Sequence, residues 1–361
     1  MVGEIGSNFW LNPNEEFSEV PIRTPIQFNC KGNDSVWLST GRSAIRFVIE
    51  TIEKRRSGLK KVAVLPSFTC NTVIEPFLKS GYMVFYYPVE KDLRTTSDAI
   101  LQTVIENDAT IVLFHRYFGF DTLDGQVDKM FEILHDLGKY TIEDCTQCLY
   151  SDIHRSNCDF AIGSIRKWTG TPDGGFAVCR EGEFSGKPQK TDVILEKAKV
   201  EASYAKYRYL FEYEGEKSEM LAMYRHAEDI LDNQTEIYAI STTSVKVQSN
   251  LNIDNLKRKR RENFKLLGNI ISSRVKTVFC LNNQEVPLYF PIIVGDRSAL
   301  QKHLVDNAIY APIVWPKDEQ QPIQCEGAEY LYNHLLCIPI DQRYNQDDMR
   351  RIAKVIDNFY K

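Results

Sequence analysis

Between residues 62 and 162, five short apolar runs rich in β-branched and aromatic residues, at 62–65, 83–87, 110–114, 140–142 and 160–162, alternate with stretches of helical periodicity. This alternation constrains the chain more than any other feature. Two parallel strands can be joined only by a crossover of about a dozen or more residues, which a helix supplies. Strands that read as continuous apolar runs are covered on both faces. The pattern therefore predicts an α/β fold, a mostly parallel sheet flanked by helices. The functional loops of such sheets leave the carboxyl ends of the strands.

Three segments near those ends carry chemistry-bearing residues. The first is Ser39-Thr40-Gly41-Arg42-Ser43-Ala44, which leads into a helix with Ile45, Val48, Ile49 and Ile52 on one face. A Ser/Thr/Gly cluster at a helix start presents free N–H groups and the positive dipole end, which suits a phosphate; plain N-capping explains the same residues. The second is Glu143-Asp144 at a strand end, where a structural ion pair is the alternative to a catalytic acid. The third is 162–175, where Lys167 follows a strand on a segment that Gly170, Pro172, Asp173 and the Gly174-Gly175 pair mark as loop. A lysine beside Ser164 and Arg166 at that place is positioned like a Schiff-base lysine next to a phosphate group. An exposed loop lysine is the plainer reading of that stretch alone. Together, a helix-start phosphate cradle, a strand-end acid and a loop lysine are the inventory pyridoxal phosphate needs. A carboxylate keeps the pyridine nitrogen protonated, and the lysine attaches the cofactor and then acts as base.

Composition removes other classes. At 361 residues the length suggests about two domains. A formal charge of −5 argues against a nucleic-acid partner, and the one dense basic run, 257–261, sits in a helical pattern and is expected to be a solvated helix face. No run approaches the roughly 18 apolar residues of a membrane span. The first residues lack the basic start and apolar core of a signal peptide. Nine scattered cysteines then suggest reduced thiols and a cytoplasmic protein. Cys145 and Cys148 have CxxC spacing but no second pair, so no metal site is expected.

The remaining chain divides by pattern. Residues 1–37 show no clear period and read as an extended arm on the main domain or on a partner subunit. Residues 181–237 are polar and charged, with helical patches at 192–198 and 219–232. One long helical pattern covers about 244–272. Residues 275–361 read as a small α+β unit, with strands near 275–280, 288–294, 310–314 and 336–340 and helices near 297–305 and 347–360. The last helix carries Met349, Ile352, Val355, Ile356 and Phe359 on one face. The expected division is an arm at 1–35, a large domain at 36–245 with 181–237 as an insertion, and a small C-terminal domain at 246–361.

The order of motifs resembles the DegT/DnrJ/StrS family of sugar aminotransferases. The matching pieces are Ser-Thr-Gly-Arg-Ser-Ala-Ile at 39–45, Leu-Pro-Ser-Phe-Thr at 65–69, Tyr-Phe-Gly at 117–119 and Ile-Glu-Asp-Cys-Thr-Gln at 142–147. Gly174-Gly175 and Ala-Pro-Ile-Val-Trp-Pro at 311–316 complete them. The resemblance runs from about residue 36 to the C-terminus. It implies the type I fold of pyridoxal-phosphate-dependent aminotransferases with a small C-terminal α+β domain. Carried over by position, it implies Lys167 as the Schiff-base lysine, Asp144 as partner of the pyridine nitrogen, and Gln147 near the ring hydroxyl. It places Gly41, Arg42 and Ser43 at the phosphate. It also implies a homodimer with the site at the interface, a keto-sugar carried on a nucleotide as substrate, and an amino acid such as glutamate as donor.

The chain departs from the family in four places. Cys70 stands where an aromatic ring stacks on the cofactor, with Phe68 as its possible substitute. Arg42 replaces a common threonine. Ser164 lies closer to the lysine than the phosphate-binding serine usually does. The Asn-Tyr-Arg piece that reaches into the partner's site has no clean match; Arg208, with Lys206 and Tyr207, is the candidate replacement from 181–237, and a solvated helix is the plainer reading of that segment. His115 and Trp315 are candidates for the substrate pocket, beside structural alternatives for each. A sugar dehydratase is disfavoured by Lys167, because such family members tend to have histidine there. A nicotinamide enzyme is disfavoured by the lack of G-x-G-x-x-G after an early strand. A non-catalytic scaffold or regulator is the alternative that Cys70 and the missing arginine leave open.

Overall fold

The computed structural model describes residues 3–18, 32–153, 157–317 and 325–361. In chain order the elements are β1 (Ile5–Gly6), β2 (Asp34–Leu38), α1 (Gly41–Arg55), β3 (Val62–Pro66), α2 (Asn71–Lys79), β4 (Met83–Tyr87), α3 (Ser97–Glu106), β5 (Ile111–His115), α4 (Val127–Asp136), β6 (Tyr140–Asp144), β7 (Phe160–Ser164) and β8 (Gly175–Cys179). There follow α5 (Val193–Tyr207), α6 (Lys217–Asp232), α7 (Thr242–Asn250), α8 (Ile253–Ile270), β9 (Lys276–Thr277), β10 (Phe290–Ile293), α9 (Arg297–Asp306), β11 (Ile309–Tyr310), α10 (Glu326–His334), β12 (Leu335–Ile338) and α11 (Gln346–Phe359). They form two compact units that do not follow chain order. One is Met1–Ser7, Gly58–Asp159 and Asn252–Lys361; the other is Asn8–Ser57 and Phe160–Leu251. Part of the N-terminal arm, 19–31, lies outside the described residues.

In the first unit, β6, β5, β3 and β4 lie side by side in that order, all parallel. β3 and β5 are buried along their whole length, as continuous apolar runs must be. β4 is the edge, and its Met83 is exposed. A side chain caps α3, where Thr96 Oγ1 accepts from Ala99 N. In the C-terminal part, β12, β10 and β9 form an antiparallel sheet. α11 buries Met349, Ile352, Ala353, Val355 and Ile356, the expected face apart from half-buried Phe359. A capping box between Asn345 and Asp348 starts it. The arm enters this unit through β1, which pairs in parallel with β11.

Two expectations for this region change. The long helical pattern at 244–272 is broken, because Asn252 caps a new helix by accepting from Asn255 N at 2.9 Å. The basic run 257–261 is not simply a solvated face. Arg260 is fully buried and donates to the carbonyl of Leu288 at 2.8 Å and to Gln342 Oε1 at 2.9 Å. Burial pushes its guanidinium down to about 10.

In the second unit, β8 lies between β2 and β7 and is antiparallel to both. The connection from β7 to β8 has no crossover helix, so the strand must turn back. α1 lays Ala44, Ile45, Phe47, Val48, Ile49 and Ile52 into the core. Its start presses on β8: a Cβ at Gly175 would lie 2.1 Å from the Thr40 carbonyl oxygen and 2.8 Å from Gly41 N. Only glycine allows that approach, and Gly174 beside it has φ +127°, a conformation that side chains resist. Segment 181–237 folds into the paired helices α5 and α6, joined through a π-helical turn at Arg208–Glu212 that ends on Tyr213 in the left-handed region.

Candidate active site

The lysine loop belongs to the second unit. β7 ends at Ser164, and a 3-10 turn, Ile165–Lys167, follows at once. Its first N–H, on Ile165, donates to the Gly174 carbonyl at 3.1 Å, and Ser164 Oγ donates to the same oxygen at 3.1 Å. Trp168 is fully buried and anchors the turn on its far side. Lys167 is thereby held half-buried just beyond the strand end.

The start of α1 faces this loop. Thr40 caps the helix by accepting from Ser43 N at 3.0 Å, and Ser43 Oγ lies 2.9 Å from Thr40 Oγ1. A Cβ on Gly41 would stand 3.5 Å from Ser164 Cβ. The N-terminus of α1 thus lies beside Ser164, with the Ser43 hydroxyl on the same first turn. The Arg42 guanidinium pairs with Asp232 at 3.0 Å.

Asp173 ties the end of the loop to α7. It is buried, and its carboxylate accepts from Ser241 N at 3.0 Å, from Ser241 Oγ at 2.6 Å and from Ser244 Oγ. Desolvation outweighs these bonds and pushes the carboxyl up to about 6. The folded form therefore holds its proton more tightly than the unfolded chain, whose Asp titrates near 3.9. The contribution of Asp173 to stability is full below pH ~4, is lost as pH rises through about 6, and is level above. A shift of about two units corresponds to roughly 3 kcal/mol. Urea unfolding of Asp173→Asn at pH 4.5 and 7.5 is expected to lack most of the wild-type loss between those values. An unchanged pH dependence would place the titrating group elsewhere.

The acid belongs to the first unit. β5 and β6 are parallel neighbours, and their last residues, His115 and Asp144, are register partners. His115 Nδ1 lies 3.4 Å from Asp144 Oδ2, and its Nε2 hydrogen-bonds Thr69 Oγ1 at 2.6 Å. Asp144 Oδ1 accepts from Thr146 N at 2.8 Å. Both side chains are buried, at 4% and 6% exposure. Gln147 accepts from Phe118 N through Oε1 at 2.9 Å, while its buried Nε2 has no partner among the described residues. A buried amide donor left open this way marks a place where a ligand acceptor belongs.

An aromatic cluster walls this half. Trp315 lies over His115, with centroids 5.6 Å apart and planes 33° apart, and Phe68 packs among Trp315, Tyr117 and Tyr332. Tyr332 OH accepts from Thr69 N at 3.1 Å and donates to Thr69 O at 2.9 Å, which fixes the residue that holds His115. Cys70 sits at the start of α2, half-buried, with Sγ 3.0 Å from Thr72 Oγ1. Arg116, next to His115, forms a buried ion pair with Glu143 at 2.9 Å and another with Asp121.

Within the first unit, then, Asp144, His115, Phe68 and Trp315 come together, with Gln147 three residues beyond Asp144. Within the second, Gly41, Ser43 and Ser164 come together, with Lys167 three residues beyond Ser164. Arg208 opens the π-helical turn and is half-buried. Its neighbour Lys206 is buried on the Asn8 carbonyl and over the Trp10 ring, which makes it a structural residue. Sequence reasoning missed Thr69 and Tyr332, for which the chain carries no local signal. In the first unit a fixed carboxylate suits a ring nitrogen and an open amide a ring oxygen; in the second a helix N-terminus beside two hydroxyls suits a phosphate.

No family model matches the sequence, and no curated protein matches it significantly. Solved structures do match. The DegT DnrJ EryC1 StrS aminotransferase of Brucella abortus is 16% identical, with a TM-score of 0.64 over 91% of this chain and 86% of its own. Helicobacter pylori PseC, an aminotransferase involved in the biosynthesis of pseudoaminic acid, is 12% identical, with a TM-score of 0.66 over 93% of this chain and 88% of its own. S. venezuelae DesV, solved in complex with a ketimine intermediate, is 13% identical, with a TM-score of 0.63 over 93% of this chain and 87% of its own. The expected architecture is thus the observed one: over nine-tenths of its length, the chain has the fold of these aminotransferases.

Proposed function

We propose that the chain is a pyridoxal-phosphate-dependent aminotransferase. It moves an amino group from a donor such as glutamate to a keto-sugar carried on a nucleotide, in polysaccharide or amino-sugar biosynthesis. The buried Asp144 carboxylate, held between His115 Nδ1 and Thr146 N at a strand end, is the observation that carries the reading. When bound, the cofactor supplies an electron sink for the pair left behind when a Cα–H bond breaks. Asp144 keeps the proton on the ring nitrogen, since a fixed anion beside it favours the charged form. Gln147 Nε2 donates to a ring oxygen. The first N–H groups of α1, with Ser43 and Ser164, hold the phosphate. Lys167 would attach the cofactor and would serve as the base that takes and returns a proton. Trp315 and His115 line the sugar's approach.

The same reading carries a homodimer, a cytoplasmic location, and the division into an arm at 1–35, a large domain at 36–245 and a small domain at 246–361. Among the described residues no helix is long and apolar enough to cross a membrane. An absorbance spectrum of the purified protein tests the function. A visible band that disappears on adding glutamate and returns with a keto acid is expected. A band that no amino donor changes would make the protein a cofactor binder, and no band with added cofactor would overturn the reading.

A further inference from the structure

Arg166 precedes Lys167 in the 3-10 turn. Its Nη1 is buried and donates to nothing among the described residues. A buried guanidinium nitrogen without an acceptor is costly, because it has given up water and received no partner.

Its charge acts on Lys199 and Glu228. Lys199, on α5 and only 5% exposed, has its ammonium pulled below the usual lysine range by burial first and then by the charge of Arg166. Glu228, on α6, feels Arg166, Lys199 and Arg42, which together outweigh the opposing effect of burial and lower its carboxyl. Two ion pairs organise the group: Lys199 with Glu228, and Arg42 with Asp232. Three cations against two carboxylates leave one positive charge in excess, and Arg166 is the member without an ion-pair partner among the described residues. Two of its members lie on the elements that meet at the start of α1. Arg42 is the second residue of that helix, and Arg166 is two residues beyond Ser164.

We propose that Arg166, with Lys199 and Arg42 beside it, is an anion subsite that takes a phosphoryl group. A planar guanidinium, an ammonium and a helix N-terminus form the donor set that recognises phosphate dianions. The proposal deepens the aminotransferase reading and rests on it for the source of the phosphate, which is the cofactor's or the nucleotide's. It also gives the paired helices of 181–237 a task within their own chain: α6 brings Asp232 to Arg42 in the first turn of α1, and Glu228 of the same helix holds Lys199. That task is distinct from the reach across an interface expected of Arg208.

Binding measurements test it, with Arg166→Gln and Lys199→Met variants whose circular dichroism and melting match the wild type. Pyridoxal phosphate and pyridoxal, which lacks the phosphate, are titrated by fluorescence. Inorganic phosphate and uridine diphosphate are titrated by calorimetry into cofactor-treated protein. If the cofactor's phosphate is the ligand, the variants weaken pyridoxal phosphate by about 10- to 100-fold and leave pyridoxal unchanged. If the nucleotide's is, uridine diphosphate and inorganic phosphate weaken by that factor and pyridoxal phosphate does not. Arg166→Lys keeps the charge without the fork and is expected to fall between. Equal affinities of variants and wild type for all four ligands would overturn the subsite. Wild-type protein that binds phosphate but not pyridoxal phosphate would instead sink the aminotransferase reading and leave the subsite standing.

Discussion

Lys167→Ala is expected to lose the visible absorbance band and to lower turnover by on the order of 10⁴-fold or more, because one side chain supplies both the covalent attachment and the base. The fold should survive. Lys167 is half-buried at the end of a 3-10 turn whose geometry is set by Ser164, Trp168 and Gly174. Melting within a few degrees of wild type would confirm that. The rival is Lys199. It is more deeply buried, and its depressed pKa favours the neutral amine that attacks a carbonyl. Its ion pair with Glu228 opposes that role. Borohydride reduction of wild-type protein with pyridoxal phosphate, followed by peptide mapping, separates the two. The label is expected on the peptide containing Lys167. Recovery on Lys199, or on any other lysine, would remove Lys167 from the role.

The parallel strands were legible because their signal is local. β3 and β5 are short apolar runs between helical stretches, and burial on both faces writes that directly into the sequence. α11 was legible for the same reason, from a single face repeated over its length. β9 and β11 were not. Each was read as a strand of five or six residues and pairs over only two, because edge pairing depends on neighbours from distant parts of the chain. The break between α7 and α8 rests on the side chain of Asn252, a capping signal hidden inside a charged helical pattern.

The candidate site divides the same way. Gly41, Asp144 and Lys167 sit beside strand ends or helix starts, where local pattern draws attention to them, while Gln147 is a candidate only through the order of motifs. The network behind Asp144 runs through Thr69 to Tyr332, 263 residues away, and nothing in either stretch announces the other. Charge was the least legible property. Arg260 and Lys206 belong to patterns that read as solvated or reaching outward, yet both are buried on backbone carbonyls. A long cationic side chain can cover apolar surface and still find acceptors, which composition does not reveal.

Asp144→Asn is the sharper test of the chemistry, because it changes one atom type and almost no volume. The amide can still accept from Thr146 N, and His115 remains tied to Thr69, so the end of β6 should keep its shape. What is lost is the negative charge. A unit pair at about 4 Å in a surrounding of effective dielectric near 20 is worth about 4 kcal/mol, or about three decades in rate. Turnover is therefore expected to fall roughly 10³-fold, with unchanged circular dichroism and cofactor affinity reduced much less than turnover. The asymmetry is diagnostic. A residue that only braces the strand end would lose stability and leave the chemical step alone. A partner of the ring nitrogen must do the reverse, since the proton it holds is what lets the ring accept electrons. Near wild-type turnover in a folded Asp144→Asn variant would take the acid out of the site.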